Sequence, residues 1–453
     1  MGGNAVRLLH TGAPPREATD DALPRPAALV QLSDDSDRLG AVGTRTSDSV
    51  KAKRFVLFVG AGRHQRSAIV RVRELGAGVV AVDRNPEAPG FADADVAELV
   101  DFQDIEALTE IGRRHGVEGV LTVASDRAVP IVAAVAERLG LPGIGSETAH
   151  AMAHKVAMRR RLAEHGVPQP QFAAATTLHE ARAAARSTGF PAVLKPVDSA
   201  GQRGVFRLRS EDDLDAHFHA TLAASPAQEA IVEAFHAGLE VNTLFVARGG
   251  ETRLVTASDR LRPAGIGFGV ALAHLYPSTL FGDVLAEVER VADEAVDALG
   301  LRDGIAYPQL LVSGSTVRIV EVAARIPGGQ MVEVPRYGVG IDLVHVALLQ
   351  ALGEEVSDEL LLPQAQQPLA IRFFTAEPGP LPTGKVRSVG TLDNMLAFPG
   401  VVQADTYLAL GETIRPVQVD GDRRGYVIAL ADTNFEALER AEAAACLLDV
   451  EVV

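Results

Sequence analysis

The sequence predicts an α/β protein built from several folded units, and three observations support this class. The chain has 453 residues, enough for about three domains with buried cores. Its hydrophobic content of 47% and charged content of 23% are typical of a globular enzyme rather than a disordered or fibrous chain. From Phe55 onward, short apolar strands alternate with amphipathic helices, as in sheets covered by helices.

The first of these units is predicted to be a Rossmann-like domain spanning residues 54–147. Its first strand is the continuous apolar run Phe55–Val59, which suits a parallel strand buried on both faces. The elements expected after it form a βαβαβ unit: a helix, the strand Val79–Asp83, the helix Ile105–His115, the strand Gly119–Val123 and the helix Pro130–Leu139. Residues 1–50 mix Pro, Gly, Ser and Thr without a sustained period and predict a disordered tail.

Two further domains are predicted, at residues 148–360 and 361–453. The first begins with an amphipathic helix over Thr148–Glu164 and contains a flexible lid subdomain near residues 185–240. A hairpin is expected where Ile305–Val312 and Thr316–Ala323 flank the turn Ser313-Gly314-Ser315. The last domain is a small α+β unit whose final helix starts at the capping residue Thr433.

Charge and composition exclude several classes of partner. The net charge of −16 is opposite in sign to a surface that neutralises phosphates, so nucleic acid is not an expected partner. The single Cys446 excludes a disulfide framework and a cysteine-rich metal site, which fits a reducing cytoplasm. We also expect no membrane partner, because the sequence has neither an 18-residue apolar run nor the pattern of a signal peptide.

The turn Gly60-Ala61-Gly62, with Asp83 some twenty residues later, partly matches a dinucleotide-binding fingerprint. The third glycine is missing, since Gln65 occupies its place. We therefore favour a structural tight turn, with Asp83 at a strand end. An NAD-dependent oxidoreductase remains as an alternative hypothesis from this motif.

The strongest chemical signal is a lysine followed by a glycine-containing loop. Lysine occurs only five times in the chain, and Lys195 lies in the apolar strand Ala192–Pro196. A buried ammonium group needs an anion, although a lysine on an exposed strand face could extend to solvent instead. The loop after this strand offers free backbone N–H groups of the kind that bind phosphates, and together these features predict a polyphosphate site.

With these motifs the chain resembles the ATP-grasp superfamily over about residues 54–453, and in particular its carboxylate–amine ligases, which include L-amino acid ligases and biotin-carboxylase-like enzymes. The resemblance implies that Lys155 and Lys195 bind phosphates of ATP, and that Lys195 also has a catalytic role. It identifies the phosphate lid as Ser199, Ala200, Gly201, Gln202, Arg203 and Gly204. The hinge that holds adenosine would be Glu233, Ala234 and His236, with Glu240 at the ribose hydroxyls.

A metal site is predicted on the hairpin. Strand alternation places Glu321 on one face with Val317, Ile319 and Ala323, where a carboxylate needs a metal or Arg325 as partner. Gln309 falls roughly opposite Glu321 across the hairpin. The family has an acid at position 309 and an Asn at position 323, so Mg²⁺, or Mn²⁺ in its place, would be held by Glu321, Gln309, water and the triphosphate.

The substrate side is assigned from the same resemblance. Arg325 would stabilise charge on an acyl phosphate or bind a substrate carboxylate, next to the backbone of Gly328 and Gly329. His274 resembles a substrate-proximal histidine of the amino acid ligases, although a turn at the start of a helix is an equal alternative. Residues Gly265–Gly269 are a candidate mobile flap.

The resulting prediction is a cytoplasmic ATP-dependent ligase, a homodimer as relatives often are, that activates a carboxylate as an acyl phosphate and joins it to an amine. Its partners would be small-molecule carboxylates and amines. Two alternatives remain open: a purine-type or carbamoyl-type ligase of the same superfamily, and a nucleotide-binding sensor or scaffold with altered catalysis, suggested by Gln309 and Ala323.

Overall fold

The computed structural model describes residues 53–263 and 269–453. The predicted tail 1–50 and the predicted flap, apart from Gly269, lie outside the described residues. No helix in these two ranges is long and apolar enough to cross a membrane.

The N-terminal domain is a parallel sheet covered by helices, as predicted. Its elements are β1 (Phe55–Val59), α1 (Arg63–Glu74), β2 (Gly78–Asp83), β3 (Val96–Leu99), α2 (Ile105–Arg114), β4 (Gly119–Leu121) and α3 (Val129–Leu139). The strands are ordered β3-β2-β1-β4. Strand β3 was not predicted, because it is a four-residue edge strand with no fully buried position.

The helix predicted over Thr148–Glu164 is two helices, α4 (Ser146–Ala153) and α5 (Lys155–Glu164). The break is at His154, which has an extended backbone and accepts a hydrogen bond from the Ala157 N–H on its ring Nδ1, at 3.4 Å. This capping places Lys155 at the first position of α5. Sequence periodicity alone gave no sign of the break, because histidine is an uncommon cap.

The lid subdomain has its own antiparallel sheet, ordered β5-β8-β6-β7. Its elements are β5 (Phe172–Ala175), α6 (Leu178–Thr188), β6 (Ala192–Pro196), β7 (Phe206–Leu208), α7 (Glu211–Ala223) and β8 (Ala230–Ala234). Thr177 and Glu180 form a capping box at the start of α6, as their spacing in the sequence indicates. The sheet starts at Phe172, earlier in the chain than the predicted lid.

The largest sheet in the described residues joins the two predicted C-terminal domains. Its strands lie in the order β13-β12-β9-β10-β11-β14-β18-β16 and every neighbouring pair is antiparallel. Its elements before residue 360 are β9 (Leu239–Arg248), β10 (Glu251–Leu261), β11 (Ala273–Tyr276), α8 (Gly282–Ala298), β12 (Gly304–Ser313), β13 (Thr316–Ala323), α9 (Glu333–Gly338) and α10 (Leu343–Ala351). Strand β11 is hydrogen-bonded to a strand at residues 369–373, so the large sheet continues across the predicted domain boundary at 360.

The remaining elements complete this sheet and add a small one, ordered β17-β15-β19. They are β14 (Leu369–Phe373), β15 (Gly384–Val389), α11 (Asp393–Leu396), β16 (Val401–Thr406), β17 (Thr413–Ile414), β18 (Gly425–Leu430), α12 (Asn434–Ala445) and β19 (Val450–Val452). One continuous hydrophobic core includes residues of β1, of the large sheet and of α10. The N-terminal domain and the large sheet are therefore packed together, whereas the lid sheet has a core of its own.

Candidate active site

Most of the residues predicted to bind nucleotide line one cavity, named here the lysine cavity. Its walls include Lys155, Lys195, Ser199, Ala200, Gly201, Gln202, Glu233, Ala234, His236, Glu240, Gln309 and Glu321. These residues come from α5, the lid sheet, β9 and the hairpin β12–β13. The fold thus brings both predicted phosphate lysines and the glycine loop to one cavity, although Lys155 and Lys195 are forty residues apart in the sequence.

Two residues of the predicted lid do not line the lysine cavity. Gly204 packs against α7, where an added Cβ would collide with the side chain of Ala224, and its carbonyl accepts a hydrogen bond from the Thr221 hydroxyl at 2.8 Å. Gly204 is therefore a packing position in this structure, and its predicted contact with the cofactor stays a prediction. Arg203 lines a second cavity, described below.

Lys195 is paired with a buried acid. Its ammonium donates to Glu233 at 2.7 Å, and the other oxygen of Glu233 accepts from Arg159 at 2.9 Å. Burial alone would raise the pKa of Glu233, but Arg159 and Lys195 outweigh it and hold this pKa at about 2. The Glu233 carboxylate is thus committed to two cations, so a contact with the adenine edge would have to come from its backbone or from Ala234.

Lys155 contacts both the lid and the hairpin. Its ammonium donates to the Ser199 carbonyl at 3.0 Å and lies 3.2 Å from the Glu321 carboxylate. The protein cation that partners Glu321 is therefore Lys155; of the two predicted partners, Arg325 is wrong, because it pairs with Asp126, and a metal stays a prediction. This lysine lies between the phosphate loop and the predicted metal carboxylate.

Glu240, predicted at the ribose, is buried between two arginines. One oxygen is 2.8 Å from Arg260 and the other is 2.9 Å from Arg262. Arg260 also donates to the Gly269 carbonyl at 2.5 Å. Both arginines line the lysine cavity, and neither was singled out in the sequence. Arg260 is buried near the end of β10, and Arg262 lies just beyond that strand.

The hairpin has the predicted register but a different alternation. Gln309 pairs directly with Glu321, whereas Leu310 pairs with Ile319, which leaves Val320 as a β-bulge. The extra residue reverses the faces beyond it, so Val317 and Ile319 share a core with Val322, not with Glu321. The predicted apolar face around Glu321 is therefore wrong, because an alternation rule cannot detect a bulge.

The second cavity, named here the arginine cavity, has a volume of about 340 Å³ and adjoins the first. It contains the predicted substrate residues Arg325, Gly328, Gly329 and His274, and shares Ala200, Gly201, Arg260 and Gln309 with the lysine cavity. It also contains residues that the sequence reading did not single out: His64, Asp126, Arg127, Tyr307, Asp420 and Arg423.

Arg325 is held by an acid from the N-terminal domain. Its Nε and Nη2 each donate to an oxygen of Asp126 at 2.7 Å, while its buried Nη1 has no hydrogen-bond partner in the described residues. Burial alone would raise the pKa of Asp126, but the charge of Arg325 holds it below its usual range. The signal in the sequence was the position of Asp126 shortly after β4, where the carboxyl ends of parallel strands place polar side chains.

His274 lies in strand β11 and not in a turn at the start of a helix. Its ring Nδ1 is 3.1 Å from the Asn242 amide nitrogen, and its ring meets Phe373 edge-on at 5.6 Å. Burial, with Arg260 and Arg423 nearby, places the pKa of His274 well below its usual range. The histidine is therefore neutral at physiological pH and presents a hydrogen-bonding group to the arginine cavity.

A side cavity continues from the arginine cavity toward α1. The two share His64, Gly329, Asp420, Gly421 and Arg423, and the side cavity adds Arg63, Phe373, Tyr407, Glu412 and Arg424. The guanidinium of Arg63 lies 4.7 Å above the Tyr407 ring, and that of Arg423 lies 4.4 Å above Phe373. Burial, followed by the charges of Arg423 and Arg63, lowers the pKa of His64 to about 4. Positive potential therefore extends through both cavities.

The glycine turn after β1 has a structural explanation. One carboxylate oxygen of Asp83 accepts from the Ala61 N–H at 2.9 Å, and the other accepts from the Asn85 N–H at 2.9 Å. Asp83 thus fastens the turn Gly60-Ala61-Gly62 to the end of β2. This arrangement supports the structural reading of the motif.

Three family models match the chain in the order of its domains. Residues 71–143 match the ATP-grasp N-terminal domain, residues 160–329 the ATP-grasp domain, and residues 372–453 the L-amino acid ligase C-terminal domain 2. A formate-dependent phosphoribosylglycinamide formyltransferase from Burkholderia thailandensis is 31% identical over 288 residues, which are 60% of this chain and 68% of that protein. The chain belongs to the ATP-grasp family.

Solved structures show the same fold. The L-amino acid ligase of Bacillus licheniformis has a TM-score of 0.75 at 20% identity, covering 88% of this chain and 99% of that one. The biotin carboxylase domain dimer of the 2-oxoglutarate carboxylase from Hydrogenobacter thermophilus, solved with MgADP, has a TM-score of 0.69 at 17% identity, covering 88% and 90%.

These matches confirm the predicted fold class and the prediction of an ATP-dependent carboxylate–amine ligase. The alternative of an NAD-dependent oxidoreductase is wrong, because the glycine turn precedes a segment that matches an ATP-grasp N-terminal domain. The fold predicts neither the substrates nor the role of each side chain. Those assignments depend on the two cavities.

Proposed function

We propose that ATP binds in the lysine cavity and a carboxylate substrate binds in the arginine cavity, where the γ-phosphoryl group is transferred between them. The observation that carries this proposal is the convergence of Lys155, Lys195 and the loop carbonyls and amides at Ser199–Gln202 on one cavity that opens into the other. Adenine would lie along the backbone of Glu233, Ala234 and His236, with ribose toward Glu240.

The residues present fit a divalent cation of the Mg²⁺ type. Glu321 and Gln309 are paired across the hairpin and offer a carboxylate and an amide oxygen to the lysine cavity. Mg²⁺ accepts a site with one or two protein ligands when phosphates complete its shell. Within the described residues no group of three or more His, Cys, Asp or Glu side chains could hold a metal. The ion would therefore enter with the nucleotide and would neutralise triphosphate charge.

The chemistry assigned to this chain's own residues follows from their positions. One carboxylate oxygen of the substrate attacks the γ-phosphorus of ATP, the bond to ADP breaks, and an acyl phosphate forms. Arg325 would direct its free Nη1 at that group, because Asp126 occupies its other edge. Gly328 and Gly329 leave room for the substrate, and neutral His274 would offer it a hydrogen bond. An amine then displaces phosphate to give an amide.

The arginine cavity favours a substrate with a second anionic group, such as a phosphate, over a free amino acid. Arg63 and Arg423 lie beyond Arg325 along the connected cavities, although Asp420 partly offsets Arg423 at 3.5 Å. Similarity to formate-dependent phosphoribosylglycinamide formyltransferases also supports a phosphate-bearing substrate, because phosphoribosylglycinamide contains a sugar phosphate. This observation favours the purine-type ligase as a second candidate beside an amino acid ligase.

The test is a ligase screen in which the purified protein, ATP and Mg²⁺ are offered pools of carboxylates and amines. Products are identified by mass spectrometry and ADP release is measured in parallel. We expect turnover with an amine or carboxylate that carries an additional phosphate or carboxylate. Nucleotide binding without turnover by any pool would instead support the sensor hypothesis.

We also propose a homodimer in the cytoplasm. Support for the dimer comes from the biotin carboxylase domain of the same fold, which is described as a dimer. Sedimentation equilibrium at micromolar concentration tests it, and a monomer at all concentrations would refute it.

A further inference from the structure

Arg203 belongs to the phosphate loop by sequence but to the arginine cavity by position. Ser199 and Gln202 of the same loop line only the lysine cavity, whereas Arg203 lines only the arginine cavity. Its guanidinium folds back near Gly201, within 3.6 Å of where a Cβ on that glycine would lie. The middle of the loop, Ala200 and Gly201, thus lies between the two cavities, and its only cationic side chain, that of Arg203, faces the arginine cavity.

Arg203 is exposed and, unlike Arg325 and Arg260, has no acidic partner among the described residues. Arg325 is paired with Asp126, and Arg260 is paired with Glu240. In the part of the chain that the structure describes, no acid lies within salt-bridge distance of Arg203. A cation at a cavity wall with no protein partner is available to a bound anion.

Three contacts hold the loop in this orientation. The Asp420 N–H, from the turn before β18, donates to the Gly201 carbonyl at 3.2 Å. Gln202 has a positive φ of 64° and packs so closely on Gly269 that a Cβ there would collide with it. Lys155 holds the Ser199 carbonyl at the start of the loop. The C-terminal domain thus holds the loop in place by a hydrogen bond to Gly201, two residues before Arg203.

We propose that Arg203 is a catalytic residue that contacts the acyl phosphate rather than the nucleotide, and that Asp420 is the positioning residue that holds its loop. The inference rests on the proposed function. Two arginines would then stabilise the charge of the acyl phosphate: Arg325, which follows the hairpin, and Arg203 from the lid. Closure of the lid would then be needed for the chemistry as well as for holding ATP.

The test compares Arg203→Ala with Arg209→Ala, a matched control that removes an arginine from an exposed position of the same subdomain. Two affinities are measured by calorimetry: that of the non-hydrolysable analogue AMP-PNP with Mg²⁺, and that of acetyl phosphate in the presence of MgADP. For Arg203→Ala we expect acetyl phosphate to bind about tenfold more weakly while AMP-PNP affinity changes less than about twofold. Arg209→Ala should change neither.

The outcomes separate this inference from the proposed function. Wild-type protein that binds no AMP-PNP would refute both. If the wild type binds AMP-PNP normally, two results would overturn only the inference. One is that Arg203→Ala loses affinity for AMP-PNP and keeps its affinity for acetyl phosphate. The other is that the wild type does not bind acetyl phosphate.

The role of Asp420 is tested by comparing Asp420→Pro with Asp420→Ala. Both lose the carboxylate, but only proline removes the N–H that holds Gly201. Asp420 is the first residue of a short 3-10 helix and follows the extended Val419, so proline fits the backbone there. We expect trypsin to cleave after Arg203 several-fold faster in Asp420→Pro than in Asp420→Ala. Equal cleavage rates in two folded variants would overturn the positioning role.

Discussion

The two adjoining cavities contain similar numbers of cationic side chains but use them differently. In the lysine cavity Lys155, Lys195 and Arg260 are each paired with a protein acid. In the arginine cavity Arg203 has no acidic partner in the described residues, and the buried Nη1 of Arg325 donates to no group there. A ligand that binds these three cations of the lysine cavity must compete with protein carboxylates, whereas Arg203 and the Nη1 of Arg325 can bind a ligand without that competition.

This contrast supports the proposal that a chain with a net charge of −16 binds two anionic ligands in succession. Paired cations keep the lysine cavity close to neutral, so the proposed triphosphate would bind there together with its own metal ion. The unpaired cations next to it attract the second anion by long-range potential. Changes to paired residues should therefore affect nucleotide binding most, and changes to unpaired ones should affect the carboxylate step.

The largest effect is expected for Lys195→Ala. It removes a phosphate ligand and leaves the buried Glu233 with Arg159 alone. We expect AMP-PNP affinity to fall by about a hundredfold or more, measured by calorimetry. Lys385→Ala, at an exposed lysine of the C-terminal domain, is the control and should bind normally. Unchanged affinity in Lys195→Ala would show that the triphosphate lies elsewhere.

Arg325→Lys should give a smaller and different defect. Lysine cannot span both oxygens of Asp126 while keeping a donor for the substrate, so kcat/KM for the carboxylate should fall by about a hundredfold. Affinity for AMP-PNP should stay within about twofold, because Arg325 does not line the lysine cavity. The prediction fails if nucleotide binding and turnover decline together. Unfolding by urea checks that the domain interface persists.

Gln309→Glu should strengthen metal binding, since it adds a carboxylate directly opposite Glu321. We expect Mn²⁺ to bind about tenfold more tightly in the presence of ADP, measured by electron paramagnetic resonance. Gln309→Met, which has a similar shape but no oxygen, should bind it more weakly than wild type. Equal Mn²⁺ affinity in all three proteins would remove Gln309 from the metal site.

The smallest effect concerns the pH dependence of stability. The folded-state pKa of Glu233 is about 2, below its usual value near 4.5, so the pair stabilises the fold fully at neutral pH. This contribution is lost as the pH falls from about 4.5 toward 2. The stability difference between wild type and Glu233→Gln should therefore shrink by roughly 0.5–1 kcal/mol between pH 7 and pH 4, measured by urea unfolding. A constant difference would mean that Glu233 titrates normally.

Local sequence patterns predicted the strands, the main helices and the lysine cavity well. The apolar run of β1, the Thr177 capping box and the register between Gln309 and Glu321 are each set by residues near one another in the chain. The Val320 bulge and the histidine cap of α5 were not predicted, because each breaks the regular period from which it would be inferred.

The arginine cavity was largely invisible to the same reasoning. Asp126 and Arg325 are 199 positions apart, and Arg423 follows nearly a hundred residues later. Nothing local to Asp126 indicates that it pairs with Arg325 rather than with a substrate amine or as a helix cap. Only the packing of the N-terminal domain against the large sheet brings these side chains together. Long-range charge pairing therefore limits what can be learned about the substrate from one sequence.

The unbroken hydrogen bonding between β11 and β14 has a consequence for engineering. A chimera that exchanges the C-terminal segment for that of another ligase would have to cut the ladder between His274 and Ile371 and rebuild it from unrelated strands. Such grafts should expose sheet edges and aggregate unless the junction is moved into the loops beyond the sheet. Altered substrate choice in this enzyme is more readily reached through single side chains than by recombining whole modules.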